Sequence, residues 1–161
     1  MTVIRLITKI KAPIEVCFDL ARSIDLHKLS TEGTNEEAIG GVTTGLIGMG
    51  EEVTWEARHF GVKQRLTSKI TEFKFPEYFR DQMLKGAFKK IDHRHEFEQT
   101  AAFTIMKDAF DFEVPLGLLG KAFTRLILTK YLTRLLERRN EMIKEVAEDG
   151  RWKNILPNRI Q

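Results

Sequence analysis

The chain has 161 residues, of which 42% are hydrophobic and 30% charged, a balance that supports one globular core and does not describe a disordered segment. Its 26 basic residues stand against 23 acidic ones for a net charge of +3, and the two signs interleave, so no nucleic-acid partner is expected. Cys17 is the single cysteine, which excludes an intrachain disulfide and a Cys-rich metal site.

The N-terminal stretch Met1 to Leu6 reads as the start of a strand rather than a signal peptide. No apolar run approaches the roughly 18 residues that span a bilayer, and a cytoplasmic location is expected. Val3 to Lys11 alternates and forms the opening strand. Pro13 suits the first turn of a helix whose apolar face carries Ile14, Cys17, Phe18 and Ala21. Ser23 is positioned to cap a second short helix bearing Ile24, Leu26 and Leu29.

Residues 30–50, rich in glycine, are expected to be irregular. Gly45-Leu46-Ile47-Gly48-Met49-Gly50 has the glycine spacing of a phosphate loop, but Glu51 and Glu52 stand where Lys and Ser/Thr belong. Those carboxylates repel phosphate, so the loop is expected to be a flexible rim instead. Strands follow. Val53, Trp55, Ala57 and His59 share one face of the first, and Gly61 suits the turn to a second strand carrying Val62, Leu66 and Ile70. Pro76 ends that strand, and Tyr78 to Leu84 form another.

The clearest alternation comes next. Ile91, His93, His95 and Phe97 fall on one face, with Lys90, Asp92, Arg94, Glu96 and Glu98 on the other, as in an antiparallel sheet with one face in water. Residues 102–114 repeat it, placing Thr104, Met106, Asp108, Phe110, Phe112 and Val114 together. From about Leu118 to Ala147 a long helix is expected, with Leu128, Leu132, Leu135, Met142 and Val146 as its apolar stripe and Arg139 in the interval. At about 45 Å it must lie across the inner face of the sheet.

This order gives an α+β fold: a curved antiparallel sheet wrapped round a long C-terminal helix, with two short helices after the first strand. Residues 1–150 are expected to form a single domain and 151–161 a C-terminal tail.

The ordered series Gly50-Glu51-Glu52-Val53-Thr54-Trp55, His59-Phe60-Gly61, Pro76-Glu77-Tyr78-Phe79-Arg80-Asp81, Gly86-Ala87-Phe88-Lys89, His93-Arg94-His95-Glu96-Phe97, Thr104-Ile105-Met106-Lys107-Asp108 and Pro115-Leu116-Gly117 resembles the bacterial ligand-binding branch of the SRPBCC superfamily. The resemblance covers roughly residues 1–147. It implies the START-like helix-grip fold and a cavity between sheet and helix. In the wider superfamily such cavities take lipids, sterols, polyketides or plant hormones, and some members are cyclases or aromatases. The fold therefore implies a cavity more firmly than a reaction.

The expected function is binding of a small hydrophobic or amphipathic molecule that is lipid-, polyketide- or aromatic-like. Phe79, Met83, Phe97, Met106, Phe110, Phe123 and Ile127 are the expected apolar lining, and Trp55, His59, Asp81, His93, His95 and Asp108 the polar part. Inward histidines and carboxylates must each find a partner or be neutralised. They are read as a structural network, as a polar end for the ligand, or as catalytic groups. In the last case, a polyketide-cyclase/dehydratase-like enzyme would use a pair drawn from His93, His95, Asp81 and Asp108 as general acid and base. No cofactor is expected. A metal on His93, His95 and one Asp is not expected either, because i,i+2 histidines on a strand recur by chance.

Overall fold

The computed structural model describes residues 2–115 and 121–156, with backbone alone for 121–125. The strands are β1 (Thr2–Ile10), β2 (Glu37–Gly41), β3 (Glu52–His59), β4 (Val62–Lys74), β5 (Tyr78–Lys85), β6 (Lys90–Gln99) and β7 (Thr104–Glu113). The helices are α1 (Ile14–Ala21), α2 (Ile24–Ser30), α3 (Lys121–Glu148) and α4 (Trp152–Ile155). The strands form one antiparallel sheet in the order β1-β7-β6-β5-β4-β3-β2. Register shifts in β2, at Thr71 in β4 and at Leu84 in β5 bend those strands and curve the sheet.

Local chemistry sets the boundaries. Pro13 precedes α1, and the Ser23 hydroxyl accepts from Leu26 N at 3.2 Å to cap α2. β3 turns into β4 through Phe60 and Gly61, both at positive φ, as a two-residue hairpin turn of this kind requires. The expected irregular stretch 30–50 contains β2, an edge strand. Its glycines make it read as loop, but Gly41 sits at φ 70, where a Cβ would collide with the carbonyl oxygen of Glu52. There the glycine permits close strand pairing rather than preventing it.

The inner face holds two apolar clusters. One surrounds Phe18 of α1, whose ring meets Phe73, Phe75, Phe79 and Phe97 at centroid distances of 5.1–5.3 Å. The other joins Ile4, Ile91 and Phe112 to Leu136 of α3. The helix lies against β1, α1 and α2. Its buried residues include Leu136, Ile143, Val146 and Ala147; Leu135 and Met142 of the expected stripe are only half-buried, one position off the true face. Part of the expected tail is ordered: α4 follows α3, and Leu156 is buried in the Phe18 cluster.

Candidate functional site

The sheet register builds the site. Asp81 of β5 lies opposite His93 of β6, and His95 lies opposite Asp108 of β7. Directly opposed residues share a face, so all four side chains converge inside. His93 Nε2 lies 3.0 Å from Asp108 Oδ1, and His95 Nδ1 lies 2.8 Å from the same oxygen. The other ring nitrogens turn towards Asp81 Oδ2: His95 Nε2 at 3.3 Å and His93 Nδ1 at 4.0 Å. Each ring nitrogen of His95 thus faces a carboxylate.

Helix α3 completes the cluster. Asn140 Nδ2 lies 2.7 Å from Asp108 Oδ2 and 3.2 Å from Thr8 Oγ1 on β1. Arg139 donates from Nη2 to the Ala21 carbonyl at 2.6 Å, while its Nη1 is buried without a hydrogen bond, 3.8 Å from Asp108 Oδ1. Burial raises the Asp108 carboxyl, but the hydrogen bonds from His93 and His95 outweigh it and hold the group well below the usual carboxylate range. Asp81 is also held low: burial raises it, and the His95 hydrogen bond overcomes that. Burial, helped by the adjacent His95, pushes His93 down to about 4 against the pull of Asp108. Burial likewise pulls the Arg139 guanidinium down, opposed by Asp108 and Asp81.

A cavity of about 160 Å³ opens beside this cluster, walled by Trp55, Phe79, Asp81, His93, His95 and Phe110 together with Leu136 and Arg139. A second cavity, of about 340 Å³, lies between the β3–β4 turn and α3, where Phe60, Phe88, Tyr131 and Leu132 join His59 and Ile127. A narrow space of about 50 Å³ shares Trp55 and Leu66 with the first and His59 and Phe88 with the second. Tyr131 spans the outer cavity: its hydroxyl lies 2.7 Å from His59 Nδ1 and its ring 4.7 Å from that of Phe60.

Eight of the thirteen expected site residues therefore reach a cavity wall: Trp55, Phe79, Asp81, His93, His95 and Phe110 in the inner one, His59 and Ile127 in the outer. Phe97 and Met106 line neither of these two; they pack in the filled core around Phe18. Met83 packs against the cluster of Ile91 and Phe112, with its sulfur over Gly86. Asp108 lies behind the histidines and holds them rather than lining the space. Phe123 falls outside the described side chains. The glycine loop expected to be a flexible rim is fastened to α2: Gly45 N donates to Asp25 Oδ2 at 2.8 Å, Ile24 N to the Gly45 carbonyl at 2.9 Å, and Ile47 is buried.

Several residues of the site carry little signal in the sequence. Arg139 reads there only as a gap in an apolar stripe, and Asn140 does not stand out, although two polar residues on the buried face of a helix call for a polar partner across from it. His27, whose ring lies 4.2 Å from Trp55 and whose Nε2 lies 3.4 Å from Glu36, belongs to no pattern.

No family model and no curated protein matches the chain. Solved structures do. The chain is similar to TTHA0849 from Thermus thermophilus (TM-score 0.71, 18% identity, 91% of this chain and 100% of that one). It is similar to major latex-like protein 151 from Panax ginseng (TM-score 0.66, 16% identity, 91% and 97% covered). A START superfamily protein from Mycobacterium smegmatis also matches, at TM-score 0.62 and 14% identity, with 88% and 98% covered. Among the described residues no helix is long and apolar enough to cross a membrane. With seven antiparallel strands curved about a C-terminal helix and two short helices after β1, this chain has the START-like helix-grip fold.

Proposed function

We propose that the chain binds one small amphipathic molecule, its apolar body in the outer cavity and its polar end at Asp81, His93 and Arg139. The observation that carries this reading is the row of three adjoining spaces on the inner side of the sheet, the outer one walled mainly by apolar side chains and the inner one reaching Asp81, His93, His95 and Arg139. The outer volume falls within the range of small-molecule sites, and each methylene buried there contributes about 0.8 kcal/mol. Arg139 Nη1 offers a buried donor with no hydrogen bond among the described residues, and Asp81 an acceptor whose side chain keeps 22% of its exposure. A hydroxyl, carbonyl or carboxylate on the ligand complements that pair.

Native mass spectrometry of the purified protein, followed by denaturing extraction, tests the reading directly. A co-purified lipid or aromatic, retained by the native chain and reduced at least tenfold in Asp81→Ala, is the expected result. A clean apo mass together with no uptake of anilinonaphthalene sulfonate or a fatty acid would sink it.

The rival, a polyketide-cyclase/dehydratase-like enzyme, draws on the 3.0 Å His93–Asp108 pair, which leaves His93 Nδ1 facing the cavity side. A base held down to about 4 is a weak proton acceptor at neutral pH, and this ranks binding first. Turnover that disappears in His93→Gln while binding survives would reverse the order.

A further inference from the structure

At the same polar end of the cavity that the ligand reading uses, the geometry points to a metal centre: we propose that Asp81, His93 and His95 hold one divalent transition ion of the zinc or iron(II) type there. One ligand atom from each of the three residues lies within 4.8 Å of the other two. The His95 Nε2 to Asp81 Oδ2 separation of 3.3 Å matches the spacing of about 3.3 Å between two donors on a tetrahedral ion with bonds of about 2.0–2.1 Å. The 4.0 Å from His93 Nδ1 to the same oxygen closes with a small movement of the Asp81 side chain, which has no other hydrogen bond among the described residues.

The surroundings distinguish this trio from a chance cluster. Each histidine presents one nitrogen towards Asp81 and the other towards Asp108: His93 Nε2 hydrogen-bonds it at 3.0 Å, and His95 Nδ1 lies 2.8 Å from it without hydrogen-bond alignment. That is the carboxylate–histidine–metal arrangement, in which an outer carboxylate fixes ring orientation and leaves the facing nitrogen with its lone pair free. Asp108 is itself fixed by Asn140.

Charge and softness select the ion. Two carboxylates, Asp81 and Asp108, outnumber the single guanidinium of Arg139, so a dication is attracted, but only modestly. Calcium or magnesium, which need several oxygen ligands, find too few here, whereas imidazole suits zinc and iron. Three protein ligands leave at least one coordination position, and Asp81 and both histidines line the cavity, so that position opens towards it.

Protein stripped with a chelator and titrated with cobalt(II), read by visible absorption, and with zinc(II), read by calorimetry, tests the site. One equivalent should bind, with a cobalt spectrum of tetrahedral or five-coordinate type. Asp81→Asn and His93→Gln should each weaken binding by at least about a hundredfold, since loss of an outer-shell partner alone costs about 10–100-fold. Unfolding curves in chelator check that the variants fold. If His93→Gln does not, Asp81→Asn decides alone. No uptake, or uptake undiminished in Asp81→Asn, overturns the proposal. Probe binding by the chelator-stripped protein is measured separately, so either reading can fail without the other.

Discussion

Strands β5 and β6 carry charged groups on both faces, one residue apart, and the two faces treat them differently. Outside, Arg80 grips both oxygens of Asp92 through Nε and Nη2 and reaches Glu72 through Nη1. Gln82 adds a bond to Asp92 at 2.9 Å, and Arg94 ties Glu72 to Glu96. This fork-on-fork lattice satisfies its own members. Inside, Asp81, His93, His95 and Asp108 occupy the neighbouring positions of the same sheet, yet Arg139 Nη1 has no hydrogen bond among the described residues and His93 Nδ1 stands 4.0 Å from Asp81 Oδ2. A network built only to hold a sheet has no reason to leave donors and acceptors over. The surplus on the inner face is what a ligand or ion would use.

The largest expected effect breaks the inner network at its hub. Asp108→Ala strips two histidines and Asn140 of their common acceptor and leaves Arg139 buried beside no anion but Asp81. Removing one member of a buried charged group costs about 3–5 kcal/mol. Urea unfolding of metal-free protein should show that loss, and a loss below about 1 kcal/mol would mean that water replaces the carboxylate.

The outer lattice should fail more gently, and with acid. The Arg80 hydrogen bonds hold Asp92 down to about 2, against a smaller opposing effect of burial, while an unfolded chain protonates it near 3.9. A carboxyl depressed in the folded state stabilises fully above its unfolded pKa and loses that contribution as pH falls towards the folded one. Stability should therefore drop by about 2 kcal/mol between about pH 4 and pH 2 from this residue. Asp92→Asn should flatten that part of the profile; an unchanged acid limb would show the lattice to be ornamental.

The contrast between faces is legible in the sequence because a two-residue period has no ambiguity: Ile91, His93, His95 and Phe97 can only point one way. Depth along the strand is not legible. Phe97 and Met106 share the inward face with His93 and Phe110, but Phe18 of α1, distant from both in the chain, fills the space over them. Helix registry fails by one residue because Leu135-Leu136 and Met142-Ile143 are adjacent apolar pairs, and a 3.6-residue period accepts either member until a partner chooses. The choice of Leu136 and Ile143 carries Asn140 onto the buried face beside Asp108, so the polar half of the site hangs on that one step.

The smallest effect is expected at the mouth, and it sharpens the comparison by removing a contact that belongs to neither network. The Tyr131 hydroxyl and His59 Nδ1 share a hydrogen bond across the outer cavity, and burial raises the phenol so that it keeps its proton. Both groups are only half-buried, and in Tyr131→Phe water can take up what each loses, so the cost in stability should stay below about 1 kcal/mol. The ring contact with Phe60 survives the change, so the hairpin keeps its place while losing a directional bond that ties it to α3. Stopped-flow release of a bound fluorescent fatty acid should then quicken about three- to tenfold, a barrier change of about 0.7–1.4 kcal/mol, with affinity falling by the same factor. If release is unchanged, the opening between the β3–β4 turn and α3 is not the route by which the cavity exchanges its contents, and the polar end must be reached from the α2 side, where Ile24 and His27 line the inner cavity.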